Sequence, residues 1–129
     1  MPGDYVLDTN IVIALLKEEA RVASRAASAL SLWIPFSVLA ELHYGARKSG
    51  HPEENVARVE QIAARFNVLF PNLATVREYG LVRSGLRTIG RPIPEADLRI
   101  AALTIQHGLV LVSRDMHFDD VSRLRLERW

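Results

Sequence analysis

Four acidic residues stand where a carboxylate needs company. Asp8 separates two apolar runs, Tyr5-Val6-Leu7 before it and Ile11 to Leu16 after it. Asp115 comes two residues after the uninterrupted apolar stretch LVLVS, residues 109–113, and Glu41 and Asp97 lie in SVLAEL and PEADLRIAA. A buried carboxylate with no partner is costly. Two of them about 4 Å apart repel by roughly 1 kcal/mol in water and roughly 4 kcal/mol at an effective dielectric of 20. Three or four sharing one pit therefore need protons or a cation. An all-oxygen ligand set in a chain with no cysteine favours Mg²⁺ or Mn²⁺ over zinc. Such an ion can polarise a phosphoryl oxygen and activate water.

The elements that must position these acids follow from periodicity. Val6-Leu7 ends a first strand, and residues 11–17 and about 19–30 read as helices, the second rich in alanine. WIPF (33–36) reads as a second strand, and Ser37 is the expected N-cap of a helix through Lys48. Residues 54–66 read as a helix and NVLF (67–70) as a short strand. A helix over 73–89 ends at Gly90, and the next starts at Pro94 and runs to His107, with Gly108 just past its end. LVLVS has the pattern of a central parallel strand covered on both faces, and LRLERW alternates like a final edge strand. Strands alternating with helices imply right-handed βαβ units on a parallel sheet. Ligands then bind outside the carboxyl ends of the strands, the edge at which Asp8 and Asp115 are placed.

Helical spacing refines two positions. In 94–107 the buried stripe centres on Leu98, Ala101 and Ile105, with Arg99 and Gln106 pointing into water. Asp97 shares a row with Ala101 and Thr104 at the margin of that stripe. In 37–48 the stripe is Val38, Leu39, Leu42, Gly45 and Ala46, and Glu41 flanks it. Acids at such margins can line a cleft.

Composition sets the outer bounds. The chain has 129 residues, 49% of them hydrophobic, which suits one globular domain with a real core over 1–129. A net charge of +1 announces no global basic field, although a local patch would suffice for nucleic acid. No cysteine, no signal-peptide pattern and no apolar run near the roughly 20 residues of a membrane span point to the cytoplasm, with no membrane association.

VLDTNIVIALL, SVLAELHYG, PIPEADLRIAA and LVLVSRDMHF, closing on LRLERW, together resemble the PIN-domain ribonucleases, and within them the VapC toxins of bacterial toxin–antitoxin pairs. The resemblance runs in order over nearly the full length. It implies a three-layer α/β/α sandwich around a mostly parallel sheet, and an endoribonuclease that uses Mg²⁺ or Mn²⁺. It implies Asp8, Glu41, Asp97 and Asp115 as the catalytic acids. Asp8, Asp97 and Asp115 would hold metal, the last directly or one shell out, while Glu41 would orient metal or water. Ser113 would hold the acid cluster by hydrogen bonding, Asn10 would position Asp8 or substrate, and Asp119 is a partial substitute for Asp115. Attack by water would leave a 3′-hydroxyl and a 5′-phosphate. The implied partners are an RNA substrate, a small antitoxin that covers the cleft and a second copy in a homodimer.

Other readings are weighed beside this one. Asp8 alone could be a helix cap, Asp97 a first-turn acid complementing the helix dipole, Glu41 a good helix former and Asp115 a loop acid. His117 reads as a structural or surface residue, His43 lies on the wet side of its helix and His51 is in a loop. Trp33 is assigned to core or interface, and Trp129 to packing of the last strand. Arg83, Arg87 and Arg91, spaced by four, form a solvated helix face or an RNA-gripping stripe next to Asp97. A phosphotransfer receiver would need a lysine after a late strand, and the lysines are Lys17 and Lys48. A haloacid-dehalogenase-like phosphatase needs D-x-D where Asp8-Thr9-Asn10 stands. The alternative inside the resemblance is a catalytically inactive PIN-like module that binds nucleic acid or protein. Action on DNA attacks the same phosphate and is left open.

Overall fold

The computed structural model describes residues 3–129. Five strands form one sheet in the order β3-β2-β1-β4-β5, and each of the four described pairings is parallel. The strands are β1 (Asp4–Leu7), β2 (Ser31–Pro35), β3 (Asn67–Leu69), β4 (Val110–Val112) and β5 (Arg125–Glu127). Helices α1 (Thr9–Leu16), α2 (Ala20–Ala27), α3 (Phe36–Arg47), α4 (Pro52–Arg65), α5 (Leu73–Thr88) and α6 (Glu95–Gln106) flank it, giving the expected α/β/α arrangement. A single 3-10 turn, Met116–Asp120, follows β4.

The central strands explain why the sheet is buried on both faces. Val6, Leu7, Leu111 and Val112 are wholly inaccessible. Successive strand residues point to opposite faces, so apolar residues at consecutive positions require cover on both. Ile11, Val12, Val38 and Ala101 supply it from α1, α3 and α6. Trp129 is buried edge-on against Tyr5 of β1, with ring centroids 5.1 Å apart. Trp33 is half-buried and donates its indole N–H to Ser31 Oγ at 2.7 Å.

Four expectations fail locally. Helix α3 opens at Phe36, directly after Pro35, so Ser37 lies inside the first turn and caps nothing. Its hydroxyl is buried with no hydrogen-bond partner among the described residues. Gln106 does not face water: its side chain accepts from Thr75 and donates to Asn72 Oδ1 at 2.8 Å. This clasp ties the end of α6 to the capping box that opens α5. Helix α6 is buried more broadly than its expected stripe, including Ile100, Ala102, Leu103 and Thr104. It lies under both the sheet and α5, and a helix covered on two sides loses its single stripe. His43 is half-buried rather than on a wet face.

Gly108 closes α6 with φ +63°, and Gly90 after α5 has φ +67°. Both occupy the left-handed region that a Cβ disfavours, and both let the chain leave a helix sharply.

Candidate active site at the switch point of the sheet

In the order β3-β2-β1-β4-β5 the connections diverge between β1 and β4. Open parallel sheets leave a crevice outside the carboxyl ends of the strands at such a point. Asp8 follows β1 and Ser113 follows β4, and the Asp8 backbone N–H donates to Val112 O at 3.1 Å. The two strand ends are thus tied together where they deliver their acids.

Asp8 is buried, with 6% of its surface exposed. Its Oδ1 accepts from the Thr9 N–H at 2.8 Å, so it caps α1. Its Oδ2 accepts from Ser113 Oγ at 2.6 Å and from Asn10 Nδ2 at 3.4 Å. Capping and a role in the site are therefore compatible, because they use different oxygens. Ser113 is wholly buried and also accepts from the Asp115 N–H at 3.0 Å. Asn10 Oδ1 accepts from the Arg114 N–H at 3.2 Å. One hydroxyl and one amide thereby fix the loop after β4 relative to the end of β1.

Asp97, in the first turn of α6, meets this loop through His117. His117 Nδ1 lies 2.8 Å from Asp97 Oδ2 and 3.0 Å from Asp115 Oδ1. One donor atom from each of Asp97, Asp115 and His117 falls within 4.8 Å of the other two. The position of His117 follows from Asp115, which caps the 3-10 turn by accepting from the His117 N–H at 3.0 Å.

Burial raises the Asp97 carboxyl above its ordinary value; the His117 hydrogen bond opposes this, and the charges of Asp115 and Asp8 add to it. The imidazole of His117 is raised in turn, chiefly by its hydrogen bond to Asp97. The sign is that of a base gaining a partner: this contact stabilises the fold fully below the usual histidine value near 6.5 and is lost as pH rises through the raised one. In an NMR titration of the metal-free protein, with His117→Gln for assignment, the His117 ring is expected to titrate above 6.5. A midpoint at or below that value would contradict the geometry.

Glu41 stands apart from the three-group cluster. It is exposed on α3, and its Oε2 accepts from Thr9 Oγ1 at 3.3 Å, next door to Asp8. Asp119 lies outside the cluster, in an ion pair with Arg128. Arg128 also donates to the carbonyl of Ser113 at 3.1 Å, bracing the loop from its far side. Arg83 bonds Tyr79 Oη at 2.8 Å and pairs with Glu95 at 3.6 Å, while Arg91 reaches Asp120 at 4.0 Å. Arg83 and Arg87 line an open hollow with Glu95 and Leu98, one turn from Asp97.

His117 is the residue that sequence reasoning placed elsewhere. A signal was present: Asp-x-His just after a strand lets the aspartate accept from the histidine's backbone N–H and turn the ring back over the site.

Three acids reach one crevice from β1, α6 and the β4 loop, with no thiolate available. The PIN domain model matches residues 5–124. This chain belongs to the PIN-domain family and is of the VapC toxin type. It is 37% identical over 128 residues to a ribonuclease VapC2 of Haemophilus influenzae, across 97% of both chains. It is 36% identical to the tRNA(fMet)-specific endonuclease VapC of Shigella flexneri, again across 97% of both. Among solved structures, VapBC2 from Rickettsia felis bound to a DNA fragment from their promoter superposes with a TM-score of 0.89 at 30% identity over 98% of both chains. VapBC-1 from nontypeable Haemophilus influenzae gives 0.89 at 34% identity, also over 98% of both. PIN-domain membership supports a general nuclease-toxin role. Among the described residues no helix of this PIN domain is long and apolar enough to cross a membrane.

The donor set fits a divalent cation. The Asp97 and Asp115 carboxylates stand at close quarters, and burial together with the neighbouring acids disfavours the ionised form of Asp97 unless positive charge is supplied.

Proposed function

We propose that this chain is the toxin of a toxin–antitoxin pair and a Mg²⁺- or Mn²⁺-dependent endoribonuclease that hydrolyses RNA phosphodiesters. The observation that carries the reading is the convergence of Asp97, Asp115 and His117 beside the buried Asp8, at the strand ends where open parallel sheets bind ligands. Asp8, Asp97 and Asp115 are the proposed metal-holding residues. A divalent cation held by them would supply polarisation of a phosphoryl oxygen and a lowered pKa for a bound water.

The protein's own residues do the rest. Ser113 and Asn10 hold the Asp8 carboxylate in one orientation through its Oδ2. Glu41, exposed on the Thr9 side of the crevice, is free to accept a proton from, or align, the attacking water. Arg83 and Arg87, which line one hollow, and Arg91 are the proposed grips for phosphates flanking the cleaved bond. Such contacts fix register without reading sequence.

The named relatives are a ribonuclease and a tRNA(fMet)-specific endonuclease, and a solved VapBC-5 from Mycobacterium tuberculosis is a member of the VapBC family of toxin–antitoxin systems. A small antitoxin is accordingly the proposed protein partner. An apolar groove lined by Ile13, Leu16, Leu42 and Tyr44 begins at Thr9 and Glu41, so a segment lying in it would also cover the acids. The toxin is proposed to act in the cytoplasm as a homodimer, for which exposed Phe36, Phe70, Leu73 and Val76 offer an apolar face.

Product ends test the chemistry. Water attack is expected to leave a 5′-phosphate open to a 5′-phosphate-dependent exonuclease and a 3′-hydroxyl open to polyadenylation. A 2′,3′-cyclic phosphate would overturn the mechanism, because it requires the ribose 2′-hydroxyl as nucleophile.

A further inference from the structure

We propose that His117 is itself a metal ligand, through Nδ1, and that this makes the site prefer Mn²⁺ to Mg²⁺. The inference rests on the metal-dependent reading above and goes beyond it, because that reading assigns the metal to carboxylates alone.

The geometry is that of neighbouring ligands around one ion. Adjacent ligands of an octahedral ion with bonds of about 2.1 Å stand about 3 Å apart. His117 Nδ1 is 2.8 Å from Asp97 Oδ2 and 3.0 Å from Asp115 Oδ1. Distances of this size also suit hydrogen bonds, so the arrangement serves two states of the site. In one, the ring's Nδ1–H donates to Asp97 with the Asp115 carboxylate beside it; in the other, its Nδ1 lone pair joins their oxygens.

Three further features favour ligation over a passive role. The ring is held by its own backbone: the His117 N–H is bonded to Asp115 Oδ1, so ring and carboxylate come as a unit. The side chain is half exposed, so no packing force explains where the ring points. The other histidines take no part in the three-group cluster.

Ligand chemistry then sets the preference. Mg²⁺ is a hard ion that keeps to oxygen donors and several waters. Imidazole nitrogen suits transition metals, and Mn²⁺ combines that tolerance with an affinity for carboxylates. A site of two carboxylates and one imidazole discriminates toward Mn²⁺, and removing the imidazole erases the discrimination.

Pulsed EPR on the full chain loaded with substoichiometric Mn²⁺ tests this directly. The expected result is nuclear modulation from an imidazole nitrogen in the wild type and its absence in His117→Ala. Calorimetric titration should show Mn²⁺ binding weakened roughly tenfold in that variant. Mg²⁺ binding should change by less than about twofold. His117→Gln, which keeps a polar side chain, should behave like the alanine variant, and circular dichroism checks that both fold. Bound Mn²⁺ without nitrogen modulation would overturn this inference and leave the metal-dependent nuclease standing. Modulation that persists in His117→Ala would assign the nitrogen to another residue and overturn it equally. Failure of the wild type to bind Mn²⁺ would overturn both.

Discussion

Asp97→Asn is expected to lower RNA cleavage by about two to three orders of magnitude while leaving the metal-free protein at least as heat-stable as the wild type. The two effects have one cause. Asp97 is largely buried, and Asp8 and Asp115 add their charges to the burial that raises its carboxyl. A carboxyl raised in the folded state contributes stability below its unfolded value and loses it as pH climbs through the folded one. At neutral pH the ionised Asp97 therefore opposes folding unless a cation is present. Asparagine removes that charge and keeps an oxygen that can accept from His117. Added Mg²⁺ or Mn²⁺ should reverse the order, raising the melting temperature of the wild type by binding to the native state and leaving the variant unmoved. Thermal melts with EDTA and with each ion, beside a cleavage assay, read both halves. Full activity in the variant would remove Asp97 from the site. A lower melting temperature in EDTA would contradict the electrostatic account.

Ser113→Ala is expected to destabilise the fold about as much as truncating a buried apolar side chain. Its hydroxyl is wholly buried, donates to Asp8 Oδ2 at 2.6 Å and accepts from the Asp115 N–H at 3.0 Å. Truncation leaves a carboxylate oxygen with only the longer Asn10 contact and strands a backbone donor. Each group left unpaired costs about 1–3 kcal/mol. A loss of about 2–4 kcal/mol in denaturant unfolding is expected. In a melt this corresponds to a drop of about 5–15 °C. Activity should fall further than the folded fraction does, because Asp8 and Asp115 lose their common support. A change below about 0.5 kcal/mol, the range of an ordinary surface substitution, would show that the hydroxyl does not carry this junction.

The parallel α/β architecture was legible because long-range physics and local pattern agree there. Leu111 and Val112 are apolar at consecutive positions, which only a doubly covered strand explains, and the strand is interior. The rule that ligands sit at carboxyl ends then places Asp8 and Asp115 together without any side-chain coordinates. What was not legible depends on contacts across many residues. Gln106 looks solvent-facing on a wheel, and only the docking of α5 converts it into a clasp with Asn72 and Thr75. Ser37 looks like a cap, and the helix starts two residues early, after Pro35. Arg128 is remote in sequence from Ser113 and Asp119 yet grips both. His117 reads as structural in the sequence because lone histidines with no ligand-like spacing usually are. A one-turn 3-10 helix after β4 has no periodicity by which to foresee it, and that turn delivers the ring to Asp97.

The central claim, a nuclease that depends on a cation held by these acids, is tested most directly by cleavage of a total RNA pool with protein stripped by EDTA and then resupplied with Mg²⁺ or Mn²⁺. The account predicts no cleavage when stripped, recovery with either ion, and no recovery in Asp8→Asn or Asp97→Asn. Cleavage that persists in excess EDTA, or that both variants retain, would contradict it.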